Sequence, residues 1–507
     1  MTVIVGIDPR TGDPVGDGVP ETTAEELERA LAAAADAAGT FGLSTPDVRA
    51  RLLRGLADAL DDNVGPLAEL AGRETGLPSA RLVGEVARTS FQLRLFAEVV
   101  EEGSYLEVTL DSADPDAAPA PRPDLRRMLE PLGPVLVFAA SNFPFAFSVL
   151  GGDTASALAA GSPVIVKAHG SHPALSAAVG RLAATVVAEI GLPEGVFAVV
   201  FGVPVGTQAL TDTRVKACGF TGSTAGGRAL FDLAVSRPDP IPFYGELGSI
   251  NPTVVTPDAV AARGAEIVAG YVGSFTLGGG QFCTKPGLLF LPRGHGLGPE
   301  LAQAVAAVAA APLLDARIRD RFVTGTAELG KRADVQTVAA VDDPDGTGAW
   351  AAARLFRTDA TAVQADPEPL TEEHFGPASL IVEYDGLDDL IPALTSIEGS
   401  LTATVQAQDD DTFALDAVLA VLRHRAGRVI YNGWPTGVSV AWAMQHGGPW
   451  PATTSAGHTS VGATAIRRWL RPVCYQSLPQ ALLPPALQDA NPWRLPRRLN
   501  GTLTGPA

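Results

Sequence analysis

The 507-residue sequence predicts an α/β fold built from more than one structural unit. Three observations lead there. From Gly133 onward, short β-branched runs (GPVLVFAA, SPVIVKAH, VFAVVFG, VKACGFTG) alternate with helix-like segments such as PALSAAVGRLAATVVAEIG. That alternation is the pattern of a parallel sheet covered by helices. Ahead of it, residues 22–101 carry Ala/Leu-rich stretches with acidic and Arg-rich faces at helical spacing. The length also exceeds what one core serves, so two or three units are expected.

In chain order, TTAEELERALAAAADAAGTF and SARLVGEVARTSFQLRLFAEVVEE read as amphipathic helices. The stretch YLEVTLDSADPDAAPAPRPDLRRMLEPLG breaks periodicity with Asp and Pro between two short strand-like pieces, which suggests a projecting hairpin or linker. GGDTASALAAG and STAGGRALFDLAVSR are helices between strands of the first sheet. A second α/β stretch begins near residue 250 and contains two loops, GGGQFCTKP and TEEHFGP. The tail from about 470 is rich in Pro and Arg and should dock on something or fray.

A hydrophobic content of 46% with 18% charged residues suits a soluble globular protein. The net charge of −19 argues against nucleic-acid and anionic-membrane partners, since nothing would replace phosphate counterions. No leader-like segment opens the chain and no apolar run is long enough to span a membrane. Three cysteines at 218, 283 and 474 make neither a disulfide framework nor a metal pattern, and a reducing cytoplasm is the expected location. Lysine occurs only at 167, 216, 285 and 331 in an Arg-rich chain, so each lysine raises a question.

Five stretches carry chemistry. Cys283 follows a flexible Gly278–Gly280 approach, as a nucleophile needs and an inert core thiol does not. In GFTGSTAGGRALF a strand ends at Phe220, and Ser223 or Thr224 can cap a helix whose free N–H groups would receive a pyrophosphate. Lys167 ends a strand at the carboxyl edge, where open parallel sheets bind ligands; an ordinary surface lysine is the plainer alternative. Asn142, in VFAASNFPFAF, can offer an amide to an oxyanion or serve plain turn chemistry. Glu246, between glycines in an apolar setting, should have a raised pKa suited to a general base. His169 and His172 have no third ligand near them in sequence, so no metal site is expected.

Taken in the order Asn142, Lys167, Gly222-Ser223, Glu246, Cys283, Glu373-x-Phe375, these stretches resemble the aldehyde dehydrogenase superfamily over nearly the whole chain. SNFPFAFSVLGGDTASALAAGSPVIVKAH and HGGPWPATTSAGHTSVG resemble the branch acting on α-ketoglutarate semialdehyde (2,5-dioxovalerate). The second stretch stands where most relatives have an aromatic-Gly-Gly and Ser-Gly pattern. The resemblance implies a Rossmann-type cofactor domain over 1–104 and 127–246 and an α/β catalytic domain over 247–469. It adds a small oligomerisation element from 105–126 and 470–507, in a homodimer or homotetramer.

It further implies Cys283 as nucleophile, Asn142 with the Cys283 backbone N–H as oxyanion donors, and Glu246 as the base that activates water. Cofactor contacts would come from Ser141, Lys167, His169, Gly170, Ser171, Gly222, Ser223, Leu247, Glu373 and Phe375. Many NAD-using relatives have a Glu where this chain has Gly170, so NADP is the expected cofactor, with NAD possible. The Gly278–Gly280 run would give clearance to the nicotinamide ring. Arg88, on a helix face with Gly84 and Gln92, is expected to bind the substrate carboxylate unless it is paired with Glu85 at the surface. Phe143 and Phe147 would line the same tunnel or simply pack in the core, Gln281 would line the tunnel, Cys218 and Cys474 would be structural, and Lys285 has no assigned role. The alternatives are another aldehyde, such as succinic semialdehyde or an aliphatic one, a CoA-acylating variant, and a catalytically silent binding protein on the same fold.

Overall fold

The structure is a computed structural model describing residues 2–344 and 346–505. It contains two large parallel sheets. The first has five strands: β1 (Val135–Phe138), β2 (Val164–Lys167), β3 (Phe197–Val200), β4 (Ala217–Thr221) and β5 (Phe243–Glu246). Their order across the sheet is β3-β2-β1-β4-β5, all parallel. These strands are buried on both faces, which is why they read as unbroken apolar runs. Val135, Val137, Val164 and Val166 face one core with Ala155, Leu158 and Leu175. Leu136, Ile165 and Cys218 face the other with Leu27, Leu31 and Ala34.

The register of this sheet decides where the chemistry can sit. Phe138 pairs with Lys167 on one side and Phe220 on the other, and Thr221 pairs with Glu246. The carboxyl ends of four strands are therefore level. The chain order reverses at β1, and that reversal opens a crevice in a doubly wound sheet. Residues 141–142, Lys167, Gly222-Ser223 and Glu246 all emerge on this rim.

The second sheet has seven strands: β6 (Pro252–Val255), β7 (Leu288–Pro292), β8 (Gln336–Ala340), β9 (Arg354–Asp359), β10 (Ala378–Tyr384), β11 (Ser400–Gln406) and β12 (Ala426–Tyr431). The order is β8-β9-β10-β7-β6-β11-β12, with only β8–β9 antiparallel. A third sheet joins Thr109–Asp111 and Leu125–Pro131 to Leu470–Gln476, Arg497–Leu499 and Thr502–Thr504. The Asp/Pro-rich stretch and the C-terminal tail thus share one sheet, and the tail is docked. Cys474 is exposed on it, while Cys218 is fully buried. Among the described residues no helix is long and apolar enough to cross a membrane.

Helix α1 (Ser79–Glu102) buries Leu82, Val86, Thr89, Leu93, Phe96 and Val100, the spacing of one helical face. It also presents Arg81, Glu85, Arg88 and Gln92 along a neighbouring stripe. Helix α2 (Gly152–Ala160) follows β1, α3 (Pro173–Glu189) follows β2, and α4 (Thr224–Val235) follows β4. Helix α5 (Pro257–Thr276) leads into the cysteine loop, and α6 (Ala316–Gly330) begins at Asp315.

The Gly278–Gly280 run has φ of 59°, 68° and 68°, the left-handed region that side chains disfavour. A Cβ on Gly280 would lie 2.2 Å from the Gly376 carbonyl oxygen. The glycines thus have a backbone reason of their own, beyond any clearance for a cofactor. Gly280→Ala is expected to lower the Tm, at a cost of roughly 1–3 kcal/mol from overpacking. Gly273→Ala, on an exposed helical position where a Cβ meets nothing within 4 Å, should hold or raise it. Thermal unfolding of the two variants side by side checks the contrast.

Candidate active site

The loop carrying Cys283 is fastened from two sides. Asn251, itself in the left-handed region with φ 54°, donates through Nδ2 to the carbonyls of Cys283 (2.8 Å) and Lys285 (2.9 Å). Its Oδ1 accepts from Ser249 Oγ, Thr402 N and Thr402 Oγ1. Lys285 is 2% exposed, and its ammonium donates to the carbonyls of His374 (2.6 Å), Gly376 (3.0 Å) and Ala378 (3.0 Å). That is the role the sequence left open: Lys285 ties the cysteine loop to the loop bearing Glu373 and Phe375. Burial pushes Lys285 down and Glu373 up, and the attraction between the two opposes both shifts. Glu373 Oε2 also accepts from Ser249 N (3.3 Å).

Cys283 Sγ lies 3.5 Å from His446 Nε2, and the same nitrogen lies 3.0 Å from Glu246 Oε1. Ser460 Oγ donates to Glu246 Oε2 at 2.5 Å. His446 and Ser460 reach the site because residues 452–454 extend β5: Leu247 N donates to Ala452 O and Thr454 N to Gly245 O. Among the described residues, Glu246, Cys283 and His446 form the one cluster with metal-ligand chemistry. Its donor atoms are already bridged by the imidazole nitrogen. His446 Nδ1 is buried without a partner. Behind the pair lies a small, partly open cavity of about 20 Å³, room for a water, lined in part by Tyr244, Glu246, His446, His458, Ser460 and Arg468.

The electrostatics of this trio depart from the sequence expectation. Burial pushes Glu246 up, but the His446 charge and the hydrogen bonds from His446 and Ser460 outweigh it, so the carboxyl sits below its ordinary value. Burial alone would have given the opposite sign. The Cys283 thiol is pushed well above the ordinary range, first by burial and then by the Glu246 charge, with Arg428 opposing. At neutral pH the site thus holds a thiol and an ionised carboxylate on either side of one imidazole nitrogen.

Asn142 is buried, and its Nδ2 donates to the Gln281 carbonyl (3.1 Å). Arg81 Nη2 fixes Asn142 by donating to its carbonyl oxygen (2.7 Å). Gln281 itself does not face a substrate path, contrary to expectation. Its Nε2 donates to Gly278 O and its Oε1 accepts from Leu314 N, so the carboxamide is spent on backbone. Phe143 and Phe147 do form a wall, 5.3 Å apart, continued by Phe282 at 5.2 Å from Phe143 and by His446 at 6.2 Å from Phe147.

Arg88 lies over the Phe147 ring at 5.3 Å. Among the described residues its Nη1 and Nη2 are buried without hydrogen-bond partners, as is Gln92 Nε2. The surface pair with Glu85 does not form. Glu85 is 4% exposed, and its Oε1 accepts from Phe145 N (2.8 Å) and Ala146 N (3.0 Å). Burial pushes Arg88 down, while the charges of Glu85, Cys283 and Glu246 hold it up, which places the guanidinium in the field of the reacting group. Buried donors of this kind cost free energy until something accepts from them.

On the same rim, Lys167 ends β2, and burial with the nearby Arg317 charge pushes its pKa to about 8. A Cβ at Gly170 would meet nothing within 4 Å. His169 Nδ1 accepts from Ser171 N (3.1 Å), and His172 is buried with Nε2 against Ala140 O (3.0 Å), so the histidines order the loop. Ser223 caps α4 by accepting from Gly226 N (3.3 Å). Gly222 N donates to Glu246 O (3.0 Å). Leu247 is buried, Phe375 is half-buried against the first core, and Ser141 is half-buried beside Asn142. A capped helix N-terminus and a lysine on one rim fit a nicotinamide dinucleotide.

The model of the "Aldehyde dehydrogenase family" matches residues 2–471. The chain is 47% identical to "Alpha-ketoglutaric semialdehyde dehydrogenase 2" of Azospirillum brasilense, covering 97% of this chain and 95% of that protein. It is 41% identical to "Alpha-ketoglutaric semialdehyde dehydrogenase" of Acinetobacter baylyi, covering 97% and 94%. Among solved structures, an E. coli NADP-dependent enzyme superposes with TM-score 0.79 at 24% identity, covering 94% of this chain and 95% of the other. A Thermus 1-pyrroline-5-carboxylate dehydrogenase with bound NAD gives 0.78 at 21%, covering 94% and 90%.

The trio's electrostatics are open to test. Alkylation of Cys283 by iodoacetamide should be slow at pH 7 and rise only above the range of an ordinary thiol. In Glu246→Gln the repelling charge is gone, so the profile should move to lower pH. A profile that stays put or moves up contradicts the assignment.

Proposed function

The chain belongs to the aldehyde dehydrogenase family, and on that premise we propose that it oxidises α-ketoglutarate semialdehyde (2,5-dioxopentanoate) to 2-oxoglutarate with NADP preferred over NAD. It is an NAD(P)-dependent oxidoreductase acting on the aldehyde group. The observation that carries the substrate is Arg88, with two unpartnered donors beside an aromatic wall and within the field of Cys283. Two relatives bearing that activity in their names support the reading. A carboxylate at the far end of a short aldehyde satisfies both donors in one bidentate contact, which an aliphatic aldehyde leaves orphaned.

Cys283 Sγ attacks the aldehyde carbon. Its proton passes to the ionised Glu246, which hydrogen-bonds the thiol and is held by His446 Nε2 and Ser460 Oγ. The oxyanion is received by Asn142 Nδ2, released from the Gln281 carbonyl, together with the Cys283 backbone N–H. Lys167, Ser223 and Glu373 would hold the nicotinamide cofactor, which would supply the hydride acceptor that takes the Cys283 adduct to a thioester. Glu246, its first proton released to solvent, then takes a proton from water, which adds to the thioester carbon and expels Cys283 Sγ. The cavity behind Glu246 offers that water a place. Aldehyde, water and oxidised cofactor become carboxylate, reduced cofactor and protons.

The remaining assignments follow the same premise. Residues 1–104 and 127–246 bind the cofactor, 247–469 carry the nucleophile, and 105–126 with 470–507 form the oligomerisation element of a cytoplasmic homodimer or homotetramer. Its strand Leu470–Gln476 lies at a sheet edge, where another chain can pair. Size-exclusion chromatography with light scattering should return a dimer or tetramer mass.

Steady-state kinetics with 2,5-dioxopentanoate, succinic semialdehyde and hexanal, each with NAD and NADP, test the function. The first substrate with NADP should give the highest kcat/KM. Arg88→Leu should lower kcat/KM for 2,5-dioxopentanoate by roughly 10- to 100-fold, the worth of a charged hydrogen-bonded contact, chiefly through KM. Hexanal should be little affected. An unchanged KM for the semialdehyde removes Arg88 from the substrate site.

A further inference from the structure

Lys167 is not alone beside Gly170. Asp315, which caps α6, holds three donors: its Oδ1 accepts from Ile318 N (2.9 Å), and its Oδ2 accepts from Ser171 Oγ (3.0 Å) and Arg317 Nη2 (3.2 Å). One carboxylate oxygen therefore receives a hydroxyl from the loop after β2 and a guanidinium from the helix after the cysteine loop. The two donors sit within about 6 Å of each other across that atom. Ser171 is the residue after Gly170, an exposed position where a side chain would meet only open space. Arg317 is 83% exposed at its side chain, and Asp315 is its single ion-pair partner among the described residues. Most of its N–H groups are free to turn toward an incoming anion. Its charge already acts on the loop, pushing Lys167 and His169 down after the larger effect of burial.

We propose that Arg317 and Lys167 are the two jaws of a clamp for the 2′-phosphate of NADP, closing on the open space at Gly170 from separate structural units. The inference rests on the NADP reading above and adds a residue from beyond the first sheet to cofactor selection. The charges balance locally. Two cations face a phosphate that is close to doubly charged, and the one competing anion, Asp315, keeps Ser171 Oγ and Ile318 N when the guanidinium swings away. NAD has no group at this position, so Arg317 should not distinguish NAD from an empty site. The pyrophosphate shared by both cofactors belongs at the Ser223 end of α4.

Direct binding tests this without turnover. Dissociation constants for NADPH, NADH and 2′,5′-ADP are measured by titration calorimetry for wild type, Arg317→Ala and Arg317→Lys, with Tm as a folding control. Arg317→Ala should weaken NADPH and 2′,5′-ADP about tenfold or more and leave NADH within about twofold. Arg317→Lys should fall between. Raising the salt concentration should erode the NADPH advantage of wild type more than that of Arg317→Ala. Equal weakening of NADPH and NADH overturns the clamp, because Arg317 then acts on a shared group or on the fold. A wild type that prefers NADPH with no change in Arg317→Ala overturns the clamp and leaves the cofactor reading standing. A wild type that binds NADH more tightly overturns both.

Discussion

The site depends on buried side chains that bond to backbone. Asn251 closes on the carbonyls of Cys283 and Lys285, while its own oxygen is saturated by Ser249 and Thr402. Lys285 closes on three further carbonyls across the neighbouring loop. An irregular loop threaded between two sheets would otherwise bury carbonyl oxygens with nothing to accept from, at about 1–3 kcal/mol each. These two residues supply donors where no strand or helix can. The result is a nucleophile on a segment without regular structure, yet positioned relative to β6, β10 and β11 by hydrogen bonds in several directions.

Rigidity of that kind lets an unfavourable charge arrangement persist. An ionised Glu246 near a buried thiol raises the thiol pKa, which opposes nucleophilic attack in the resting state. The same carboxylate provides the place where the thiol proton can go. The imidazole, whose Nε2 touches both partners, holds that carboxylate in place. Arg88 and Arg428 add positive potential from other directions. Activation is therefore conditional: the thiol stays protonated until the proton has a destination and the new oxyanion has donors.

Much of the fold was readable because its signals are local. Three strands of the first sheet are short runs rich in β-branched residues, and Asn142, Lys167, Gly222 and Glu246 each stand at or just beyond the end of a strand of that sheet. Level carboxyl ends bring them to one rim. His446 and Ser460 were not singled out because they contact Glu246 from 200 and 214 residues away in the chain. The only trace they left was the unusual stretch HGGPWPATTSAGHTSVG, which holds both. Gln281 was expected in the tunnel lining, whereas its carboxamide pairs with backbone that comes close only in the fold. The Glu246 pKa was misjudged in sign for the same reason: its surroundings are apolar in sequence and polar in space.

The charge of the whole chain sharpens what these local cations do. A net charge of −19 repels an anionic aldehyde and a multiply charged cofactor alike. At physiological ionic strength that field is screened over about 8 Å, so the charges lining the crevice decide binding once a ligand has entered. The crevice is lined accordingly. Lys167 and Arg317 stand at one rim, and Arg81, Arg88 and Arg428 surround the nucleophile. Most of these arginines are anchored to backbone carbonyls or aromatic rings, and few are matched to carboxylates. An arginine locked to a buried carboxylate would offer a ligand little, whereas the exposed Arg317 can swing away from Asp315. One held by dipoles and ring faces keeps its charge available, and an acidic protein with anionic ligands needs that charge.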